Sequence, residues 1–468
     1  MTNRAISALA TLFVALFVLL VARQAYVMVI KGPDIAAKPY NPRHALLDQR
    51  RGRILATDGT VLAKSVGKTR VYPYGESLAQ TLGYVSARYG TSGIEDAYDR
   101  ALTPPDTTGD PIAQFDDLVA SIQGKTSQSR GADIVTTIVP QIQSAAWQQL
   151  DGHARGAVVV LDPRSGAVLA LASVPSFDPN DLESTFTSLN SDPGSPLINR
   201  AIDGLYPPGS TFKIFTAASA LDAGTVTMDS HFDDPGYYVI GDFTLHDNEG
   251  EATGFQDLSN AFALSSNVDF AQIALKMGTD VFYQYIDKWG IGSSLDFQIP
   301  AETDRVPEKA SVVPGELAQM GFGQGALLMT PLQMALVTAT IANGGNMPRP
   351  YIVRQIVRDG STASVTPDGN LASPVSADTA ANVKKMMVAV VTRGTGTVAQ
   401  LPNVQVAGKT GTATNPHGAA HSWFVCFAPA DRPRVAIAVI VENGGYGADV
   451  AAPIARNVLR EALTVVKD

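Results

Sequence analysis

Only one cysteine, Cys426, occurs in 468 residues. No intramolecular disulfide can form, and a Cys-based zinc site lacks its thiolates. A basic surplus is missing too: 35 Lys and Arg face 44 Asp and Glu, a formal charge of -9 at pH 7. Nothing here supplies the phosphate-neutralising surface that a nucleic-acid binder needs, so that class is set aside. No internal repeat is visible. The length exceeds one typical domain and implies two to three units with ample core.

One long uncharged run is present, at the N-terminus. AISALATLFVALFVLLVA, Ala5–Ala22, is followed after Arg23 by renewed apolar character in Tyr26–Ile30. Residues 5–30 therefore read as a single membrane anchor. A cleaved signal peptide is the rival, but the run exceeds an ordinary signal core and no small-x-small cleavage site follows. Arg4 lies on one side and Arg23, Lys31 and Lys38 on the other, so charge counting places the large domain inside. Large domains translocate despite flanking charge.

A connector with Pro33, Pro39 and Pro42 leads to QRRGRILATDGTVLAKSV, Gln49–Val66, where Asp58-Gly59 separates two apolar runs as a hairpin turn does. Arg50, Arg51 and Arg53 read either as a lipid or partner contact or as ion pairs inside a small β module. The segment from Pro104 to Gly131 reads as loop. GAVVVLDPRSGAVLALAS, Gly156–Ser173, and SWFVCFAPADRPRVAIAVIVE, Ser422–Glu442, are each two apolar strand runs around a turn. A helical run over 451–466 closes the chain. Strands at both ends of the C-terminal part, with helical sequence between, predict an α+β domain: an antiparallel sheet covered by helices. The division expected is an anchor over 5–30, a β-rich N-terminal pedestal over 31–150 and the catalytic domain over 151–468.

The stretch GLYPPGSTFKIFTAASALDAG, Gly204–Gly224, opens a core helix with a serine and places a lysine three residues later. A serine hydroxyl is a poor nucleophile until a base takes its proton, and a lysine one turn on can point at it. To act near pH 7 the lysine must fall from ~10.4 to about 7, roughly 4 kcal/mol, through desolvation and a neighbouring cation. Phe212, Ile214 and Phe215 can desolvate Lys213. Alone the pair Ser210 and Lys213 is weak: an N-capping serine and a snorkelling lysine fit equally well. Ser65-Val66-Gly67-Lys68 has the same spacing but carries Gly67 inside it and reads as a loop after a strand.

Two further segments add context. GKTGTAT, Gly408–Thr414, presents a lysine, hydroxyls and a small residue at a strand edge, where glycine lets a substrate backbone approach. Ser265-Ser266-Asn267 sits at a loop-to-helix junction and offers a hydroxyl and a carboxamide. Together, in this order, the three form the pattern of penicillin-recognising acyl transferases. The rest is read blandly: residues 330–345 as a core helix capped by Thr330, Cys426 as core, and His417 and His421 without the acidic partner a metal pair wants. Trp423 either borders the cleft or packs.

The sequence resembles the class B penicillin-binding proteins over nearly its whole length. Beyond the three motifs, the resemblance is carried by RGRILATDGTVLA from Arg51, GIEDAYDRAL from Gly93, NRAIDGLYPPGSTFK from Asn199 and GFGQGALLMTPLQMALVTATIANGG from Gly321. Brevity and RQAYVMVI after the anchor are similar to the short PbpA-type members of actinobacteria. The resemblance implies a serine β-lactamase-like catalytic fold and a peptidoglycan D,D-transpeptidase that is acylated by β-lactam antibiotics. Ser210 would attack the penultimate D-alanine carbonyl of a stem peptide, Lys213 would take its proton, and Ser265 would pass it to the leaving amine. Asn267 would orient the donor peptide, and Lys409 would be the second cation. Thr410 and Thr412 would hold the terminal carboxylate beside Gly411, and the N–H groups of Ser210 and Thr412 would form the oxyanion hole. No metal or organic cofactor is implied.

The resemblance also places the catalytic domain on the outer face of the cytoplasmic membrane, on a single-pass anchor, against the charge count. It implies a SEDS-type glycan polymerase as membrane partner, and no glycan-polymerase sequence precedes Gln49. Rival readings are a D,D-carboxypeptidase with the same site, a β-lactamase, for which no Glu-x-x-Leu-Asn stretch follows Asn267, and a non-catalytic cell-wall scaffold.

Overall fold

The computed structural model describes residues 2–26, 50–104, 130–247, 251–416 and 418–467. The proline connector, the loop from Pro104 to Gly131, the apolar run past Tyr26 and His417 lie wholly or mostly outside these residues. Helix α1 spans Thr2–Ala25, and its described side chains, residues 9–24, are exposed. Among the described residues no helix is long and apolar enough to cross a membrane.

Two sheets organise the rest. The strands are β1 (Ile54–Leu55), β2 (Val61–Val66), β3 (Thr69–Val71), β4 (Asp133–Thr136), β5 (Gly156–Leu161), β6 (Val168–Val174), β7 (Val353–Arg358), β8 (Ser361–Ser364), β9 (Ala407–Ala413), β10 (His421–Ala428) and β11 (Val435–Val441). The N-terminal sheet has the order β8-β7-β4-β1-β2-β3, so two of its strands come from residues that the sequence division groups with the catalytic domain. Gly59 and Gly67, at φ +86° and +59°, turn the chain into and out of β2. Of the Ser65–Lys68 stretch, read from sequence as a loop after a strand, Ser65 and Val66 are instead the last paired residues of β2, and Gly67-Lys68 makes the hairpin turn into β3, as the glycine predicts.

The arginines at the start of this sheet are ion-paired. Arg53 meets Asp133 at 2.6 Å. Arg51 pairs with Glu95 at 2.8 Å and Asp99 at 2.6 Å, while Arg70 reaches the other Glu95 oxygen at 2.6 Å. Glu95 is fully buried, so the reading as ion pairs inside a β module holds for Arg51 and Arg53.

The second sheet is antiparallel throughout, in the order β9-β10-β11-β5-β6. Both hairpins read from the sequence are present and supply four of its five strands, and every residue of β5, β6 and β11 is buried. Alternation along β11 explains how one sheet serves two cores. Val435, Ile437, Val439 and Val441 face one cluster with helices α2 (Pro140–Gln149) and α8 (Ala451–Val465), while Ala436, Ala438 and Ile440 face the other.

On that second face lie α3 (Lys213–Asp222), α4 (Leu258–Leu264), α5 (Asn267–Lys288), α6 (Pro331–Ala342) and α7 (Ala377–Arg393). Helix α6 is buried on all sides, as its uniformly apolar sequence requires. It starts as expected: Thr330 Oγ1 accepts the N–H of Gln333, with Pro331 in the first turn. The α+β architecture of an antiparallel sheet between helices is therefore observed, and it brings β9 to the sheet edge beside α7 and the short turn, residues 209–212, that leads into α3.

Candidate active site

Ser210 does not begin an α-helix, as its spacing from Lys213 predicts. It sits in a 3-10 turn, Gly209–Phe212, that runs directly into α3 at Lys213. Gly209 is at φ +54° and donates its N–H to Gly323 O at 2.8 Å, which sets the tighter winding. With three residues per turn, side chains three apart eclipse, so this departure aligns the two groups more closely than an α-helix would. A Cβ on Gly323, itself at φ +78°, would lie 2.1 Å from Gly209 O. Gly323→Ala is therefore expected to displace the serine turn and slow acylation by penicillin on the order of 100-fold, the cost of about 1 Å of misplacement. Stopped-flow acylation rates check this, and an unchanged rate would mean that the turn is held elsewhere.

The second segment is a helix break. Ser265 closes α4 in the left-handed region at φ +66°, unusual for a non-glycine residue, and Ser266 caps α5 by accepting the N–H of Asp269 at 2.9 Å. The strained residue turns its carbonyl and hydroxyl toward the first segment. Lys213 Nζ donates to Ser265 O at 2.5 Å, to Asn267 Oδ1 at 2.8 Å and to Ser265 Oγ at 3.2 Å. The N–H of Asn267 donates to Asp247 Oδ1 at 2.9 Å.

Lys409 comes from the edge strand β9. Its Nζ donates to the same Ser265 Oγ at 2.8 Å and to Thr410 O at 3.1 Å. Two amines thus bracket one hydroxyl, and both lysines are fully buried. Burial pulls Lys213 down to about 7, against the opposing pull of Asp247, Asp269 and Asp234. Burial, and then the charge of Lys213, pulls Lys409 well below its usual value. The sequence gives Lys409 a share in depressing Lys213; burial is the physical cause of that fall.

These groups border a cleft of about 180 Å³ lined by the hydroxyl residues Ser210, Ser265, Thr395, Thr410 and Thr412. Its remaining lining is Tyr446, Ala448 and Asp449, from the loop after β11. Among the described residues the Ser210 hydroxyl has no hydrogen-bond partner, Lys213 included. Thr410 Oγ1 shares a 2.6 Å hydrogen bond with Thr395 Oγ1. Gly411 has no room for a side chain: a Cβ would meet Thr211 Cγ2 and Trp423 Cβ at 2.9 Å. The serine turn and β9 are in direct contact, since a Cβ on Gly209 would lie 3.0 Å from Thr412 O.

All eight residues proposed from sequence lie on these three converging segments. Missed were Thr395, Tyr446 and Asp449. A signal existed for the last two: the glycine-rich GGYGAD directly after a buried strand marks close backbone approach. Thr395 lies between Gly394 and Gly396 in TRGTGT at the end of α7, a weaker form of the same mark. Trp423 packs; its Nε1 donates to Pro207 O at 3.0 Å behind the serine turn. His421 accepts the Asn443 N–H, and Cys426 is buried core whose thiol burial pushes far up. Among the described residues no group of His, Cys, Asp or Glu is arranged to hold a metal.

Comparison with known proteins gives one answer along the chain. Residues 156–460 match the penicillin binding protein transpeptidase domain, and residues 51–134 match the penicillin binding protein A dimerisation domain. The peptidoglycan D,D-transpeptidase PbpA of Mycolicibacterium smegmatis is 37% identical over 98% of this chain and 99% of its own length. The ceftriaxone acyl-enzyme of penicillin-binding protein A from M. tuberculosis superposes with a TM-score of 0.80 at 34% identity, covering 90% of this chain and 100% of that one. The D,D-transpeptidase domain of a peptidoglycan glycosyltransferase from Eggerthella lenta gives 0.80 at 35% identity, covering 89% and 98%.

Proposed function

The chain belongs to the penicillin-binding protein transpeptidase family, and from that premise we propose how its own residues carry out D,D-transpeptidation of peptidoglycan stem peptides. The protein is a serine-type D,D-transpeptidase that forms an acyl-enzyme and is acylated by β-lactams. The observation that carries the residue assignment is the meeting of Lys213 and Lys409 on Ser265 Oγ at the floor of the cleft that Ser210 lines.

Ser210 Oγ attacks the penultimate D-alanine carbonyl, and the Lys213 amine takes its proton. Ser265, hydrogen-bonded to both lysines, returns a proton to the leaving D-alanine nitrogen. Asn267, held by Asp247 through its N–H and by Lys213 through its Oδ1, orients the donor peptide. Thr410 and Thr412 receive the terminal carboxylate along the strand edge, where Gly411 lets β9 lie close against Thr211 and Trp423. The N–H groups of Ser210 and Thr412 stabilise the oxyanion; losing one such donor costs ~3 kcal/mol.

The anchor over 5–30, the pedestal over 31–150 and the catalytic domain over 151–468, outside the cytoplasmic membrane, complete the reading. Support for the anchor comes from the uncharged sequence run Ala5–Ala22 and from the exposed Phe13, Phe17 and Leu19 of α1. Its apolar sequence continues past the described residues. Family membership supports a SEDS-type polymerase as the membrane partner that supplies the nascent glycan this reaction cross-links.

The test offers the purified protein a lipid-linked nascent glycan with its polymerase. Cross-linked dimers are expected, and after penicillin uptake the adduct maps to the peptide containing Ser210. Trimmed tetrapeptides alone would identify a D,D-carboxypeptidase, and no adduct would identify a non-catalytic scaffold.

A further inference from the structure

We propose that Asp449 is the binding site for the ammonium group of the acceptor stem peptide, the amine that resolves the acyl-enzyme. This rests on the transpeptidase reading above. Cross-linking requires an amine, and a side-chain amine is protonated at neutral pH. It must approach a cleft whose other lining residues, Ser210, Ser265, Thr395, Thr410, Thr412, Tyr446 and Ala448, offer it no carboxylate. Among the residues lining the cleft Asp449 is the sole carboxylate, and it lies on the exposed side while both lysines are fully buried. No hydrogen bond or ion pair engages its carboxylate among the described residues, so its charge is free to meet a cation.

The position of Asp449 is built rather than incidental. Its loop is fastened to the strands that carry Lys409 and Thr412. The Gly447 N–H donates to Thr412 Oγ1 at 3.3 Å, Ser422 Oγ donates to Tyr446 O at 3.0 Å, and the Ala452 N–H donates to Gly447 O at 2.9 Å. At Gly447 a Cβ would stand 2.4 Å from both Gly411 O and Trp423 O, so the backbone there has no clearance. The same strand that binds the donor carboxylate thereby fixes where Asp449 stands. Asp449 also precedes α8, where a carboxylate favours the positive end of the helix. That role predicts only a loss of stability.

In the step itself the bound ammonium releases one proton to water. Its nitrogen then attacks the acyl carbonyl, the new C–N bond forms, and the ester C–O bond to Ser210 breaks. The second amine proton restores the Ser210 hydroxyl. Asp449 binds and aligns the nucleophile, giving amine an advantage over water.

The experiment measures how the acyl-enzyme partitions. A synthetic stem pentapeptide ending in D-alanyl-D-alanine is the donor, and a stem tetrapeptide with a free side-chain amine is the acceptor. Asp449→Asn is expected to lower the ratio of cross-linked to hydrolysed product at least tenfold and to raise the acceptor concentration needed for half-saturation. Asp449→Glu retains most of the ratio. Hydroxylamine, uncharged at the same pH, gains no advantage from the carboxylate, so its partition ratio moves less than twofold. An unchanged ratio for the charged acceptor, or an equal loss with hydroxylamine, overturns the proposal. If the unaltered protein forms no acyl-enzyme from the donor, it is the transpeptidase reading that fails, and this proposal with it.

Discussion

Lys213→Met is expected to take up penicillin about 1,000-fold more slowly than the unaltered protein, because the side chain keeps its volume and loses the amine proposed to take the Ser210 proton. Lys213→Arg should be equally impaired, since a guanidinium stays protonated and cannot act as a base. The pH profile supplies the mechanistic check. Burial brings the Lys213 amine to about 7, so it is neutral above that pH and carries a proton below it. Acylation should therefore be nearly level above about pH 8 and fall close to tenfold per unit below pH 7.

The groups facing Lys213 modify this limb in a known direction. Asp247, Asp269 and Asp234 hold its pKa up, and Lys409 shares its hydrogen-bond partner Ser265. Asp269, which burial pushes up to about 6, takes up a proton as the pH falls and removes part of that support. The Lys213 pKa then drops further, and the limb becomes shallower near pH 6. A flat profile from pH 5 to 8, or a Lys213→Met variant that acylates at the normal rate, would exclude Lys213 as the base.

The second large effect lies far from the cleft. Glu95→Ala should cost about 3–5 kcal/mol of unfolding free energy, because it leaves two buried guanidinium groups without their carboxylate. Arg51 Nε and Arg70 Nε donate to opposite oxygens of Glu95 at 2.9 and 2.6 Å, and Tyr72 OH adds a contact at 3.4 Å. Arg51 also retains Asp99 at 2.6 Å, whereas Arg70 retains only Gly52 O and Ser65 Oγ. Opening should therefore begin at β2 and β3, where Arg70 sits. Hydrogen exchange across residues 52–72 and urea unfolding measure the two parts. A loss below about 1 kcal/mol would mean that water replaces the carboxylate.

Much of this protein is legible from local chemistry. The two hairpins of the central sheet follow from apolar runs around turn residues, α6 follows from Thr330-Pro331 and a run of apolar residues, and the hairpin at Gly67 follows from glycine alone. The three reactive segments are also local patterns: a serine and lysine three apart, a serine and asparagine two apart, and a lysine-threonine-glycine strand. Each is written in a few adjacent residues, because turn geometry and strand alternation are short-range properties of the backbone.

What sequence cannot carry is the distance between segments. That Ser265 adopts a left-handed backbone, that Lys213 and Lys409 reach its hydroxyl across 52 and 144 residues of chain, and that residues 353–364 complete the N-terminal sheet are outcomes of packing. The 3-10 winding at Ser210 depends on the hydrogen bond from Gly209 to Gly323, far along the chain. The reactive groups and the strands and helices that carry them are thus local properties of the chain. Their burial comes from the packing of distant segments, which depresses the lysine pKa and sets Asp449 as the one carboxylate among the described residues that line the cleft.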